Sequence, residues 1–303
     1  MTPAVEGRGL QIGAALVLDR LTPEPPNAWH PVAWFGSAMT ALEHRIWADS
    51  RPRGALYWLC GLAVGAVSGR IVRSTTIALT IGLGGASLRE VATKIGRHVE
   101  HNELDAARLA LPSLVGRDPS ELDESGIAAA VVESVAENCV DAVVAPLFWA
   151  LVAGAPGALG YRAINTMDAM VGHRSDRYES FGWASARADD VANFVPARLF
   201  AATVWLATPR RRSAIAQAVR SDAAAHPSPN AGVAEAAVAA AIGVELGGTL
   251  RYGERVEHRP LLGSGPRPTA RAIPAAVVVT DRAVSVIAAA ALAISLLVTR
   301  RQR

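Results

Sequence analysis

Lysine is almost absent from this chain. Lys94 stands alone among 30 basic residues, and the others are arginines. A Walker-type phosphate loop ends in Gly-Lys-Ser/Thr, but Lys94 follows Thr93 and precedes Ile95, so that nucleotide site is excluded. Cysteine is also scarce. Cys60 and Cys139 are the only two, and they are far apart, which excludes a disulfide scaffold. Charged residues make up 19% of the chain and the net charge is only +3. Soluble domains carry about 25% charged residues. The basic residues form no stripe interleaved with aromatics, so nothing points to nucleic acid as a partner. Global disorder is excluded too, because 51% of the residues are hydrophobic.

What is plentiful is uncharged apolar sequence, with a mean hydropathy of +0.24. A membrane-spanning helix needs about 20 mostly apolar residues. Ala142 to Tyr161 has that length without a single charge. Gly54 to Leu88 is interrupted only by Arg70 and Arg73, and reads as two helices with a basic turn or one long broken helix. Ala283 to Val298 and Val191 to Ala207 are further candidates, and Leu10 to Leu18 is shorter. The last of these runs straight into Asp19-Arg20 without a small-residue cleavage site, so a removed signal peptide is not expected. Ala231 to Gly248 carries Glu235 and Glu245 and reads as a buried or interfacial helix, not a span. The expected fold is therefore all-α. It is a polytopic helical membrane protein of one domain, residues 1–303. About five of its helices are membrane-associated, and no sheet of consequence is expected.

The polar residues are grouped. Ser87 to Leu111 has mixed charge at helical spacing and reads as a solvated amphipathic helix pair. Ser120 and Asp123 are candidate N-caps for the helix that follows. On that helix Glu133, Glu137 and Asp141 fall at i, i+4 and i+8, with Asn138 between them. Three acids on one helix face repel one another and need a compensating cation or arginines. A solvated polar stripe is the plainer alternative, but ionisable residues abutting a span are commonly functional. A second group holds Asn165, Asp168, Gly172, His173, Arg174 and Arg177. A third holds Arg187, Asp189, Asp190, Asn193 and Arg198. A fourth, Asp222 to Gly232, brackets His226 and Asn230 with prolines. Acids, amides and arginines at the ends of apolar helices suit metal-assisted phosphate or carboxylate chemistry at a membrane surface. Mg²⁺ takes oxygen ligands and bridges phosphates, and arginine clamps planar anions. Acids left unpaired away from water are costly, so these groups are expected to share one cavity, open to the cytoplasmic side, with His226 and Asn230 at its rim.

Several motifs carry a resemblance. They are Glu133-Ser-Val-Ala-Glu-Asn138, Asn165-Thr-Met-Asp168-Ala-Met-Val-Gly172, Phe181-Gly-Trp-Ala-Ser-Ala-Arg187-Ala-Asp189-Asp190 and His226-Pro-Ser-Pro-Asn230. With His30-Pro31-Val32, Trp34-Phe35-Gly36 and Arg259-Pro260-Leu-Leu-Gly263, they occur in one order over most of the chain. In this the sequence resembles the CobD/CbiB family, integral membrane proteins of cobalamin biosynthesis. One position departs. The family usually has Gly-Asp-Pro after the first apolar stretch, where this chain has Pro23-Glu24-Pro25.

The resemblance implies adenosylcobinamide-phosphate synthase activity. This is an ATP- and Mg²⁺-dependent amide ligation of adenosylcobyric acid with aminopropanol or its phosphate, in the cell membrane with the active face cytoplasmic. Corrinoid, amino alcohol and membrane lipid are the implied partners, with other cobalamin-pathway proteins as further candidates. A carboxylate is a poor electrophile, and activating it gathers negative charge that metal and arginine must neutralise. Glu133, Glu137, Asp168, Asp190 and His226 are accordingly the candidate catalytic residues, His226 as base for the amine. Asn138, Asn165, Arg174, Arg177, Arg187, Asn193 and Asn230 are the candidate substrate-binding residues, and Asp141 and Asp189 the candidate metal ligands. Two other classes compete. An AmpE-like membrane sensor would be expected to have lost part of this polar set. A Mg²⁺-dependent polyprenyl transferase would need a second acidic motif like Asp189-Asp190-x-x-Asn193, and Asn165-x-x-Asp168 matches it only in part.

Overall fold

In the computed structural model the described residues are 7–22, 24–116, 118–173, 175–252 and 255–300; of 250–252, 255–257 and 298–300 only the backbone is described. The chain is an all-α membrane protein. Its helices are α1 (Arg8–Leu21), α2 (Pro31–Ile46), α3 (Arg51–Val72), α4 (Thr75–Gly82), α5 (Gly85–Glu100), α6 (Leu104–Ala110), α7 (Glu124–Cys139), α8 (Ala145–Met167), α9 (Trp183–Ala207), α10 (Arg212–Ser221), α11 (Ala231–Ile242) and α12 (Ala272–Arg300). Among the described residues three helical stretches, Arg51–Val72, Glu124–Gly172 and Ala272–Leu297, are long and apolar enough to cross a membrane. A fourth is added if Trp183–Ala207 and Pro209–Ala225, bent by 104°, form one broken span. Leu10 to Leu18 lies in the 14-residue α1, too short to cross, and Ala231–Ile242 is a 12-residue helix buried along its length.

The chain divides into two compact units, each assembled from separated stretches. The first holds residues up to Gly84, Asp141–Phe194 and Ala288 onward. Its α3 carries Gly54, Gly61, Gly65 and Gly69, all buried. The last three, four residues apart, form one stripe against α8. A Cβ on Gly65 would stand 2.7 Å from the Leu159 carbonyl oxygen and from the Ala163 Cβ. Small residues let helix backbones approach where lipid supplies no hydrophobic drive for association. Leu56, Leu59, Val64, Val67 and Ile71 on other faces of α3 are exposed, as lipid-facing positions are. The Gly54–Leu88 run resolves into α3, α4 and the first turn of α5; Arg73 turns left-handed (φ 58) between α3 and α4, and a second break follows at Leu83–Gly84.

Three prolines interrupt apolar helices in this unit or at its edge, and each frees a carbonyl four residues earlier. Pro146 has no N–H for the Ala142 carbonyl, which accepts from Gly84 N at 3.1 Å. Pro156 follows a break at Gly154 (φ 66), and the freed Val152 carbonyl accepts from Arg8 Nη1 at 2.9 Å, as does Leu151. Pro196 frees Ala192, whose carbonyl accepts from Trp149 Nε1 at 3.0 Å. Away from water an unmet carbonyl is costly, so these donors are what allow the breaks.

The second unit holds Gly85–Val140 and Val195–Ile287. Its centre is the almost wholly buried, alanine-rich α11. The amphipathic pair expected over 87–111 is α5 and α6, separated by Asn102 at φ 60. Asp123 caps α7, accepting from Gly126 N at 2.7 Å, whereas the Ser120 amide donates to Asp118. This unit also contains the one regular departure from all-α structure among the described residues. An antiparallel hairpin pairs β1 (Glu245–Tyr252) with β2 (Arg255–Gly263), bulged between Leu246 and Gly248. Gly247 (φ 79) and Gly248 (φ 93) supply the left-handed conformations that the bulge requires.

Two outcomes follow. Gly65→Val should destabilise the detergent-solubilised protein by about 1–3 kcal/mol through overpacking against α8, read as a lowered unfolding midpoint. Trp149→Phe should cost about 1–3 kcal/mol by stranding the Ala192 carbonyl. In a Pro196→Ala background, where a helical N–H serves that carbonyl, its cost should fall toward zero. Equal costs in both backgrounds would refute the pairing.

Candidate functional site

Both polar groups that flank α8 sit on π-helical turns. Residues Val140–Val144 and Asp168–Gly172 each form one. Such turns insert an extra residue into the helical repeat and recur at functional sites. The first turn breaks the spacing on which the Glu133/Glu137/Asp141 stripe rested. Asp141 leaves the i+4 series and belongs to the first unit, while Glu133 and Glu137 belong to the second. The second turn carries the half-buried Asp168 and ends at Gly172, where any Cβ would collide with the Asp168 carboxylate.

In the first unit three side chains singled out from the sequence, Asn165, Asp189 and Asn193, come together with Tyr161. Asp189 accepts from Asn193 Nδ2 at 2.9 Å and from Asn165 Nδ2 at 3.4 Å. Asn193 is buried, and its Oδ1 accepts from the Tyr161 hydroxyl at 2.8 Å. Asp141 and Asp189 both lie within electrostatic reach of that hydroxyl. Asp190, next to Asp189, pairs with Arg187 at 3.7 Å. Glu24 ends near the same region, since a Cβ on Gly84 would stand 3.5 Å from Glu24 Oε1 and from Ala142 Cβ. The altered Pro-Glu-Pro triplet thus still brings its carboxylate toward the first π turn. Pro23 and Arg174 lie outside the described residues.

Arg177 is used differently. It donates to the buried Glu43 through Nη2 at 2.9 Å, stacks over Trp47, and shares Glu43 with the Tyr178 hydroxyl. The Glu43 bond holds the Arg177 guanidinium still further into its protonated range. This pair ties the loop after the second π turn to α2.

The second unit has its own network. Glu133 is buried, and its Oε1 accepts from Gly247 N at 3.1 Å, at the hairpin bulge. Arg267 Nη1 donates to the Gly247 carbonyl at 2.9 Å, and Asp222 accepts from Gly263 N at 3.0 Å. One turn beyond Glu133, Glu137 is exposed, and Asn138 donates to Ser134 Oγ at 2.7 Å. The His226–Asn230 loop folds on itself. His226 Nδ1 lies 3.1 Å from both the amide N and the carbonyl oxygen of Ser228, and its Nε2 lies 3.8 Å from Glu235 Oε2. Asn230 Oδ1 accepts from Arg198 Nη1 at 3.0 Å.

Three contributors escaped the sequence reading. Tyr161 ends an apolar run and Arg162 follows it, and Glu43 lies on a helix with no acidic partner nearby in sequence. Tyr161 and Arg162 directly precede the Asn165 motif, which was the available signal. Arg162 Nη1 reaches Asn165 Oδ1 at 3.4 Å. Among the described residues no group of three or more His, Cys, Asp or Glu side chains is disposed to hold a metal ion.

Comparison with known proteins agrees with this arrangement of motifs. Residues 12–280 match the family described as CobD/Cbib protein. The chain belongs to the CobD/CbiB family. A relative from Mycobacterium tuberculosis, named Cobalamin biosynthesis protein CobD, is 47% identical over 292 residues, 91% of this chain and 92% of the relative. Relatives of the same name from Rhodobacter capsulatus and Halalkalibacterium halodurans are 44% and 39% identical. The first match covers 79% of this chain and 81% of the relative, the second 91% and 92%. No solved structure matches the chain. The CobD/CbiB motifs therefore fall on two networks, one around Asp189 and one around the hairpin and the His226 loop.

The buried Glu133 separates an anchoring role from a chemical one. Glu133→Ala should speed limited proteolysis within 245–263 and lower thermal stability by about 1–3 kcal/mol. Glu133→Gln, whose amide oxygen can still accept from Gly247 N, should protect the hairpin nearly as well as the native residue. Loss of activity in Glu133→Gln with an intact hairpin would instead assign Glu133 to the chemistry.

Proposed function

We propose that this protein is the adenosylcobinamide-phosphate synthase of cobalamin biosynthesis, joining the free carboxylate of adenosylcobyric acid to aminopropanol or its phosphate with ATP. Family membership and relatives named for cobalamin biosynthesis support the pathway. The observation that carries the chemical reading is the Asp189–Asn165–Asn193–Tyr161 network at the end of apolar helices.

Amide formation needs the carboxylate oxygen to become a leaving group. Transfer of the ATP γ-phosphoryl group to it gives an acyl phosphate and ADP; transfer of the adenylyl group gives an acyl adenylate and pyrophosphate. The amine then attacks the carbonyl carbon, the amide bond forms, and phosphate or AMP departs as the amine gives up its proton. Asp190 and Asp168, in the first unit, are suited to hold the cationic amine; in the second unit His226, 3.8 Å from Glu235, is the candidate base. Arg187 and Asn230 bind anionic and polar parts of the substrates, and Glu137, exposed on α7, is the remaining candidate acid. Arg177 serves chiefly to fix its loop on Glu43.

Magnesium fits this donor set. Mg²⁺ is usually held by one or two carboxylates together with substrate phosphates, so no protein cage of three ligands is required. Asp141 and Asp189 are the carboxylates that would hold it, and bound there it would offset the charge of the transferring phosphate. The cell membrane, with the active side toward the cytoplasm, is the setting in which ATP and both substrates are at hand. The tail Arg300 and the Arg210-Arg211-Arg212 run supply the positive charge typical of cytoplasmic ends.

Purified protein given adenosylcobyric acid, aminopropanol phosphate, ATP and Mg²⁺ should release ADP or AMP only when all are present. Asp190→Ala and Glu137→Ala should each lower turnover by about 10²-fold or more if they serve in proton or charge handling. No nucleotide turnover by the native protein under any of these conditions would overturn the synthase reading. Full activity of both variants would overturn the residue assignment.

A further inference from the structure

Arg162 stands apart from the other half-buried arginines described. Arg8, Arg108, Arg198, Arg212 and Arg267 each donate to backbone carbonyls, and Arg89 and Arg177 pair with carboxylates. Arg162 lies in the apolar α8, half-buried, and among the described residues it makes no ion pair within 4.0 Å. Its Nε is buried without a hydrogen-bond partner. Its one side-chain donation, to Asn165 Oδ1, is long at 3.4 Å, where such bonds are weak.

Asp189, joined to it through Asn165, is already engaged. Both oxygens of Asp189 already accept amide protons, from Asn165 and Asn193. Asn165 thus stands between the guanidinium and the carboxylate, turning its oxygen to the first and its NH₂ to the second. The Arg162 stem is supported where α4 ends. A Cβ on Gly82 would stand 3.8 Å from Arg162 Cβ and 3.9 Å from Cγ, ordinary contact distances. A supported arginine with unused donors, inside a segment apolar enough to span a membrane, is costly unless an anion completes it. Its planar fork matches carboxylate and phosphate oxygens, which accept two parallel bonds.

We propose that Arg162, with Asn165 beside it, forms an oxyanion-binding subsite that receives a carboxylate or phosphate group of the substrates. This rests on the synthase reading for the identity of those substrates, but the subsite follows from the geometry alone. Arg162 is a binding residue here, set beside the acids that would hold metal and amine, so that opposite charges on the reactants are sorted onto opposite sides of Asn165.

The test uses the full-length protein in detergent as native, Arg162→Lys and Arg162→Gln forms. Arg162→Gln should raise at least one substrate KM tenfold or more with a smaller change in kcat, and Arg162→Lys should restore part of it. If the KM for aminopropanol phosphate rises while that for aminopropanol does not, the group bound is the phosphate of the amine. If the KM for adenosylcobyric acid rises with either amine, it is the corrinoid carboxylate; if that for ATP rises, the nucleotide phosphate. All KM values within twofold of native in Arg162→Gln would overturn the subsite. Should that variant not fold, native KM values in Arg162→Lys would do so, since a lysine cannot reproduce the fork. If the native protein shows no ligation, stabilisation by pyrophosphate is the readout. A thermal shift in the native form that Arg162→Lys loses keeps the subsite while the synthase reading falls, and no shift in the native form overturns the subsite.

Discussion

Broken helices in apolar surroundings depend on which donors meet the carbonyls they release. Pro146, Pro156 and Pro196 each strip a carbonyl of its helical donor, and Gly84 N, Arg8 Nη1 and Trp149 Nε1 replace it. These three bonds set much of the first unit. The Gly84 bond brings the end of α4 to the first π turn. The Arg8 bonds seat α1 on the break at Gly154. The Trp149 bond aligns α8 with the stretch of α9 that carries Asp189 and Asn193. A helix broken without such donors would leave carbonyls in lipid, at a cost of several kcal/mol each. The glycine stripe of α3 works with them, because only bare Cα positions allow α3 to lie close enough to α8 to keep that helix in place.

The chemistry-bearing groups are grafted onto these breaks. Asp141 and Asp168 lie on π turns, one at each end of α8, where the helical repeat is already disturbed. Tyr161, Asn165, Asp189 and Asn193 then form a connected chain of hydrogen bonds in which each amide both donates and accepts. Such a network is rigid while every member is satisfied, and it orients Asp189 without neutralising it through an ion pair. Rigidity of this kind is what positioning of charged reactants requires.

Elsewhere the same residue types serve the fold. Glu133 resembles the other candidate acids in sequence, yet it is buried against the bulged hairpin, and one turn later Glu137 faces out. Arg177 resembles Arg187, but Arg177 closes on Glu43 from another helix while Arg187 meets Asp190 on its own. Residue type and helical spacing carry no information about which of these a distant partner will claim.

The membrane character, the predominance of helix, the amphipathic α5–α6 pair, the Asp123 cap and the family were all legible in the sequence. Each depends on local composition, on periodicity, or on short motifs in order. The Asp189–Asn193 contact was legible as well, being an i, i+4 pair on one helix. The hairpin at 245–263 was not, since its strands alternate weakly and its register is pinned from afar by Glu133, Asp222 and Arg267. Nor was the departure of Asp141 from the Glu133–Glu137 face, because a π turn looks like ordinary helix in sequence. The roles of Glu43, Tyr161 and Arg162 were decided only by tertiary structure. Whether a polar side chain in an apolar helix meets a carboxylate, an amide or nothing is set by the neighbouring helix, and the approach of that helix is governed by glycines and freed carbonyls far away in the chain.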